Sequence, residues 1–115
     1  MMGFSALSEH TSARFGISTG ASGAHAGENE TSMVIALEPG LVQRDRFAAG
    51  YVGQLGEQQV QIIFARGMTA LTANGVLGDP AAATADKGQA YLELFAEALA
   101  QKVAGAPAEA AAAPA

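Results

Sequence analysis

His25-Ala26-Gly27-Glu28-Asn29-Glu30-Thr31-Ser32-Met33-Val34-Ile35-Ala36-Leu37 is the stretch from which the rest of the chain can be read. It sets one imidazole and two carboxylates close together, after a loop of small residues and before an apolar run. A proton-transfer or metal site needs its polar groups on a stiff support, with little side-chain bulk in the way of a substrate. Ala26 and Gly27 leave that clearance, and residues 31–37 read as the support. A helix is expected to begin at Gly27 or Glu28. Carboxylates at Glu28 and Glu30 then fall in its first turn, where the positive end of the helix dipole favours them. It must end before Pro39, because the residue preceding a proline is pushed out of the helical region. Two residues apart on a helix, Glu28 and Glu30 point in different directions and are expected to take different roles.

Working outward, residues 1–24 are rich in Gly, Ser, Ala and Thr without a sustained period. They read as loop, with one short strand near Phe15-Gly16-Ile17. Downstream, Val60, Ile63, Phe64, Gly67, Met68 and Leu71 recur at three- and four-residue steps, which predicts a helix over 56–72 with those residues on its buried face. Asn74-Gly75 is expected to close it, since both residues tolerate the left-handed conformation. Asp79-Pro80 is expected to open a third helix, with Asp79 capping and Pro80 in the first turn. Gly88, Tyr91, Leu92, Phe95, Ala98, Leu99 and Val103 form its buried stripe. From Ala104 to Ala115 the chain is low-complexity Ala and Pro, expected to be disordered.

Composition narrows the classes of function. The 115 residues make one domain or part of one, half of them hydrophobic but with much of that share alanine. A net charge of −5 argues against nucleic acid, which needs clustered Lys and Arg. No cysteine is present, so disulfides, thiolate sites and iron–sulfur clusters are excluded. No apolar run approaches the length of a spanning helix, and no basic-then-apolar leader opens the chain; the expectation is a cytoplasmic protein with no membrane partner. Gly16, Gly20, Gly23 and Gly27 lack the lysine and the spacing of a phosphate-binding loop and read as a flexible loop over a site. Thr31 and Ser32 have no second base nearby in sequence and do not read as nucleophiles.

His25-Ala26-Gly27-Glu28, with Glu30-Thr31-Ser32 following, resembles the HAGE-x-ETS signature of the creatininase family of metal-dependent amidohydrolases. Leu41-Val42, the 74–80 segment Asn-Gly-Val-Leu-Gly-Asp-Pro and the 83–88 segment Ala-Thr-Ala-Asp-Lys-Gly follow in the family's order, so the resemblance covers roughly residues 14 to 103. It implies an α/β class, with this chain as the carboxy-terminal half of a three-layer α/β/α fold, itself mostly helical with few short strands. The division expected is a loop-rich segment over 1–24, the creatininase-like half-domain over 25–103, and the tail over 104–115.

The resemblance also implies a chemistry: hydrolysis of the C–N bond of a small-molecule amide, with His25 at the substrate as proton shuttle and a divalent metal, zinc or manganese, as cofactor. Glu28 and Glu30 are expected to bind metal, to orient His25 or to complement the helix dipole. Glu30, the acid the family motif keeps more strictly, is expected to be the buried one and either catalytic or metal-ligating, and for Glu28 a plain helix-start role stands beside a metal-ligating one. The family's E-x-H pair and later histidine lie in an amino-terminal half to which nothing here corresponds; Glu9 and His10 are adjacent, and His10 and His25 are the two histidines. Structural zinc sites commonly take four protein ligands and catalytic ones three. The chain is therefore expected to come from a truncated reading frame, to be inactive alone and to hold no metal. The alternative is a non-catalytic binding or assembly piece. The family also implies a homo-oligomer. In creatininase itself a Trp-Asp pair precedes the site histidine; Ala21 and Ser22 stand there, which argues against creatinine as substrate.

Overall fold

The computed structural model describes residues 4–112 and is mostly helical. Five α-helices carry it: α1 (Phe4–Ala13), α2 (Thr19–Ser22), α3 (Glu28–Leu37), α4 (Glu57–Arg66) and α5 (Ala85–Ala112). Short 3-10 turns at Pro39–Leu41, Arg44–Arg46, Met68–Ala70 and Pro80–Ala82 fill the connections. Among the described residues there is no strand, only an isolated antiparallel bridge between His25 and Leu77.

The helix after the histidine begins where the sequence places it. Gly27 is its N-cap, in an extended conformation, and Glu28 and Glu30 occupy the first turn. It closes at Leu37, and Pro39 opens a 3-10 turn instead of extending it.

Several expectations need correction. Within residues 4–24 the chain is not all loop: α1 and α2 lie there, and the strand expected at 15–17 is a turn. In that turn the amides of Phe15 and Ile17 both donate to Ser12 O. The helix expected over 56–72 stops at Arg66, because Gly67 takes φ 86°, a conformation that breaks the helical path. Asp79 does cap, accepting from the Ala81 amide at 3.0 Å, but what it caps is the 3-10 turn Pro80–Ala82. The long helix α5 starts afresh at Ala85, with Thr84 Oγ1 accepting from the Lys87 amide at 3.3 Å. The backbone of α5 continues through Ala112, past Ala104, where composition led to the expectation of disorder; residues 113–115 lie outside those described.

Packing centres on α3 against α5. Gly88 makes that crossing close: a Cβ there would lie 1.8 Å from Ser32 O. The buried stripe expected for α5 is real only in its first turns. Gly88 and Tyr91 are buried, whereas Leu99 and Val103 are 62% and 61% exposed. On α4, Val60 and Phe64 also stand exposed.

What is buried instead is polar. Ser8, Thr11, Ser12, Ser22, Glu28, Asn29 and Ser32 are all shielded from solvent where α1, α2, α3 and α5 meet. A buried polar group is costly unless hydrogen-bonded, and these bond to one another. Asn29 Nδ2 donates to Ser8 O at 3.1 Å, Thr11 Oγ1 at 3.1 Å and Ser12 Oγ at 2.8 Å. Ser22 Oγ donates to Ser12 Oγ at 3.1 Å. The network pins α1 and α2 to the start of α3, and so fixes the loop that carries His25.

Candidate functional site

Three extended segments run side by side below the start of α3. The Leu77 carbonyl accepts from the amides of Ala24 at 2.8 Å and His25 at 3.2 Å, and the Leu77 amide donates back to His25 O at 2.8 Å. On the other side, Tyr51 N donates to Val76 O and Gly50 N to Gly78 O, each at 3.0 Å. Asn74 holds this arrangement: its Oδ1 accepts from the Val76 amide at 3.1 Å, and its Nδ2 donates to Ala49 O at 3.2 Å. Asn74-Gly75, expected to end a helix, is thus a turn that presents residues 76–78 to His25. His25 is pinned by its backbone while its side chain is exposed.

The next residue, Ala26, has φ 58°, in the left-handed region that residues with a Cβ rarely adopt. Glu30 Oε2 accepts from the Ala26 amide at 2.6 Å, and Thr31 Oγ1 donates to Ala26 O at 3.3 Å. Glycines let the following backbone close up: a Cβ on Gly27 would lie 2.4 Å from Ser22 O.

The two acids are arranged the opposite way from the expectation. Glu30 is exposed, and Glu28 is the buried one, with none of its surface accessible. Three hydroxyls donate to the Glu28 carboxylate: Ser12 Oγ to Oε2 at 2.8 Å, Ser32 Oγ to Oε1 at 3.0 Å and Tyr91 OH to Oε1 at 2.7 Å. Ser32 Oγ in turn accepts from the Thr84 amide at 3.2 Å. The first position of α3 points at α1 and α5, whereas the third points back along the chain to the turn before the helix. Burial holds the Tyr91 phenol well above its usual pKa; a hydrogen bond with Ser12 works the other way, and the Glu28 carboxylate adds to the rise. Ser12 and Tyr91 escape notice in the sequence because a serine in a Ser-rich stretch and a tyrosine in an apolar stripe carry no signal of each other.

Beside the His25–Ala26 turn lies an open cleft of about 460 Å³. Glu30 and Asn74 give it polar edges, Val34 and Phe47 an apolar wall, and Arg46 a cation. Arg46 was not a sequence candidate, since its 3-10 turn has no periodic pattern to place it. Ser22, standing where a Trp-Asp pair precedes the histidine in creatininase, is buried in the polar network and turned away from this cleft's lining. His25, Glu28 and Glu30 do not fit a metal centre by themselves: Glu28 is enclosed by hydroxyls, and Glu30 holds a backbone amide. Among the described residues no three His, Cys, Asp or Glu side chains are grouped to hold an ion. No described helix is long and apolar enough to cross a membrane.

Comparison with known proteins adds to this geometry. The sequence profile described as "Creatininase: Creatinine amidohydrolase" matches residues 2–103. A protein named mycofactocin precursor peptide peptidase, from Mycobacterium ulcerans, is 40% identical over 74 residues, which are 64% of this chain and 28% of that protein. The protein of the same name from Mycolicibacterium smegmatis is 36% identical over 74 residues, with the same shares. The match thus spans less than a third of the length of these relatives. No solved structure matches the chain significantly.

Proposed function

The chain belongs to the creatininase family, and we propose that it carries one side of an amide-bond hydrolase site, with a peptide or small amide as substrate. The observation that carries this is the presentation of His25: backbone pinned through Leu77, side chain exposed, on a turn beside an open cleft. In amide hydrolysis water adds to the carbonyl carbon, and the C–N bond breaks as the nitrogen gains a proton. An imidazole at the tip of a rigid turn is suited to taking a proton from the attacking water and giving it to that nitrogen. His25 is the residue assigned that task. The cleft beside it offers Arg46 and Asn74 to polar parts of a substrate and Val34 and Phe47 to apolar ones.

The family is in general metal-dependent. The described residues do not complete such a centre, and what they are proposed to supply is binding, orientation and proton transfer. In the same reading the extended segments at His25, Leu77 and Tyr51 stand at the margin of the sheet of a three-layer α/β/α domain, with α3 and α5 in one of its helical layers. Relatives named as peptidases favour a peptide substrate over creatinine, and Ala21 and Ser22 agree with that. A second reading, a non-catalytic assembly piece, draws on the exposed apolar side chains of α4 and of Leu37 and Leu41.

A chimera separates the two. The part of the Mycobacterium ulcerans relative that corresponds to residues 2–103 is replaced by those residues of this chain, and peptide hydrolysis is followed. Activity is expected, falling by roughly two to four powers of ten in His25→Ala, the usual share of a positioned acid or base. A folded chimera without hydrolysis, or one in which His25→Ala is as active as its parent, would overturn the hydrolase reading in favour of the assembly piece.

A further inference from the structure

The geometry points to Glu30 as a positioning residue, which acts on His25 through the amide of Ala26 and is itself neither proton carrier nor metal ligand. Glu30 is the third residue of α3, and a carboxylate at that position commonly reaches back to the N-cap amide. Here it reaches one residue further, past the N-cap Gly27, to Ala26 N at 2.6 Å. That amide belongs to the one described non-glycine residue with positive φ, the residue directly after His25. A backbone conformation that a Cβ disfavours persists when its surroundings over-determine it. Two side chains of α3 do so: Glu30 holds the amide of Ala26, and Thr31 Oγ1 holds its carbonyl. On the other side of His25, the bridge to Leu77 fixes the preceding backbone. The imidazole is therefore set between two clamps, of which Glu30 is the one made by a charged side chain. A hydrogen bond to an ionised acceptor is the stronger kind, so removing it releases one end of the turn.

The functional consequence rests on the reading of His25 as proton carrier, but the geometry is testable without substrate. In the full chain, labelled for nuclear magnetic resonance, Glu30→Ala should speed exchange of the Ala26 amide by roughly ten- to hundredfold, the worth of one charge-assisted bond. The His25 ring resonances should shift and broaden as the turn samples other conformations. Glu30→Gln keeps an acceptor oxygen without the charge and should give smaller changes in the same direction. Two outcomes overturn the inference. Unmoved Ala26 and His25 signals in Glu30→Ala would show that the carboxylate holds neither residue. A response of Ala26 alone would make Glu30 a helix cap without hold on His25. An inactive chimera alongside the expected resonance changes would sink the hydrolase reading and leave the positioning role standing.

Discussion

The junction of α1, α3 and α5 and the exposed apolar side chains of α4, Leu37 and Leu41 invert the usual division between core and exterior. At the junction, Ser12, Ser32 and Glu28 have no accessible surface. Away from it, Phe64 is 86% exposed, Leu41 75% and Leu37 66%. Among the described residues the buried apolar set is small: Ile35, Leu77, Ala83 and Tyr91. Apolar burial is non-directional and rewards any contact that excludes water, whereas a buried carboxylate is tolerated only where donors meet it in fixed geometry. The difference teaches that in this chain burial follows hydrogen-bond satisfaction more closely than hydropathy. The part held by directional bonds is the polar one, and the segment carrying His25 runs from it into α3.

Removing the acceptor at the centre of the junction is the strongest way to break the comparison. Glu28→Ala leaves the hydroxyls of Ser12, Ser32 and Tyr91 without their partner. An unsatisfied buried donor costs about 1–3 kcal/mol, so the variant should lose several kcal/mol, a large part of the stability of a small domain. Chemical denaturation measures this directly. A loss below about 1 kcal/mol would mean that Glu28 is a passenger and that the junction is held by shape alone.

That central role was hidden in the sequence, although the helix that bears it was not. The start of α3 at Glu28 and its end before Pro39 were legible, because caps and prolines act locally on the backbone. Asp79 as a cap was legible for the same reason. Helix α1 was not: its buried face is Ser8, Thr11 and Ser12, and polar residues give no apolar period. Which acid is buried depends on partners far apart in sequence, Ser12 and Tyr91, that local pattern cannot pair. In α4 the pattern was present but the inference from it failed: an apolar face predicts burial only when another element covers it, and Val60 and Phe64 face solvent. For the candidate site, the motif singled out His25 but not the positive-φ turn after it, and Arg46 and the hold of Glu30 on Ala26 belong to tertiary geometry.

The alkaline limb of the stability curve, read as the difference between the unmutated chain and Tyr91→Phe, isolates the junction from the other tyrosine and the lysines. Tyr91 has its phenol raised above the ordinary value of 10.0, by burial first and by Glu28 after it. A raised folded-state value means that the folded chain keeps this proton when the unfolded chain has released it. The contribution is thus fully present below about pH 10 and lost as pH rises further. The slope should approach ~1.4 kcal/mol per pH unit for this one group. Tyr91→Phe, less stable by the lost hydrogen bond, should show a shallower alkaline fall. Parallel stability–pH curves for the two proteins above pH 10 would show that Tyr91 titrates as freely when folded as when unfolded.

The smallest effect is expected on the opposite side of the comparison. Phe64→Ser removes the largest apolar side chain from α4, yet that ring is 86% exposed. Hydrophobic stabilisation comes from area withdrawn from water, and very little of this ring is withdrawn. Serine is a weaker helix former than some residues but close to phenylalanine in propensity, so the helix term also nearly cancels. The change in unfolding free energy should stay within about 0.5 kcal/mol, as for surface substitutions in general. The measurement is best made at two protein concentrations. A loss above about 1 kcal/mol at both would mean that the isolated chain covers Phe64 itself, and the contrast between the two regions would fail. A loss that grows with concentration has a different meaning, because association stabilises by mass action: α4 would then be covered by a second molecule, and the apolar surface would be exposed only in the single chain.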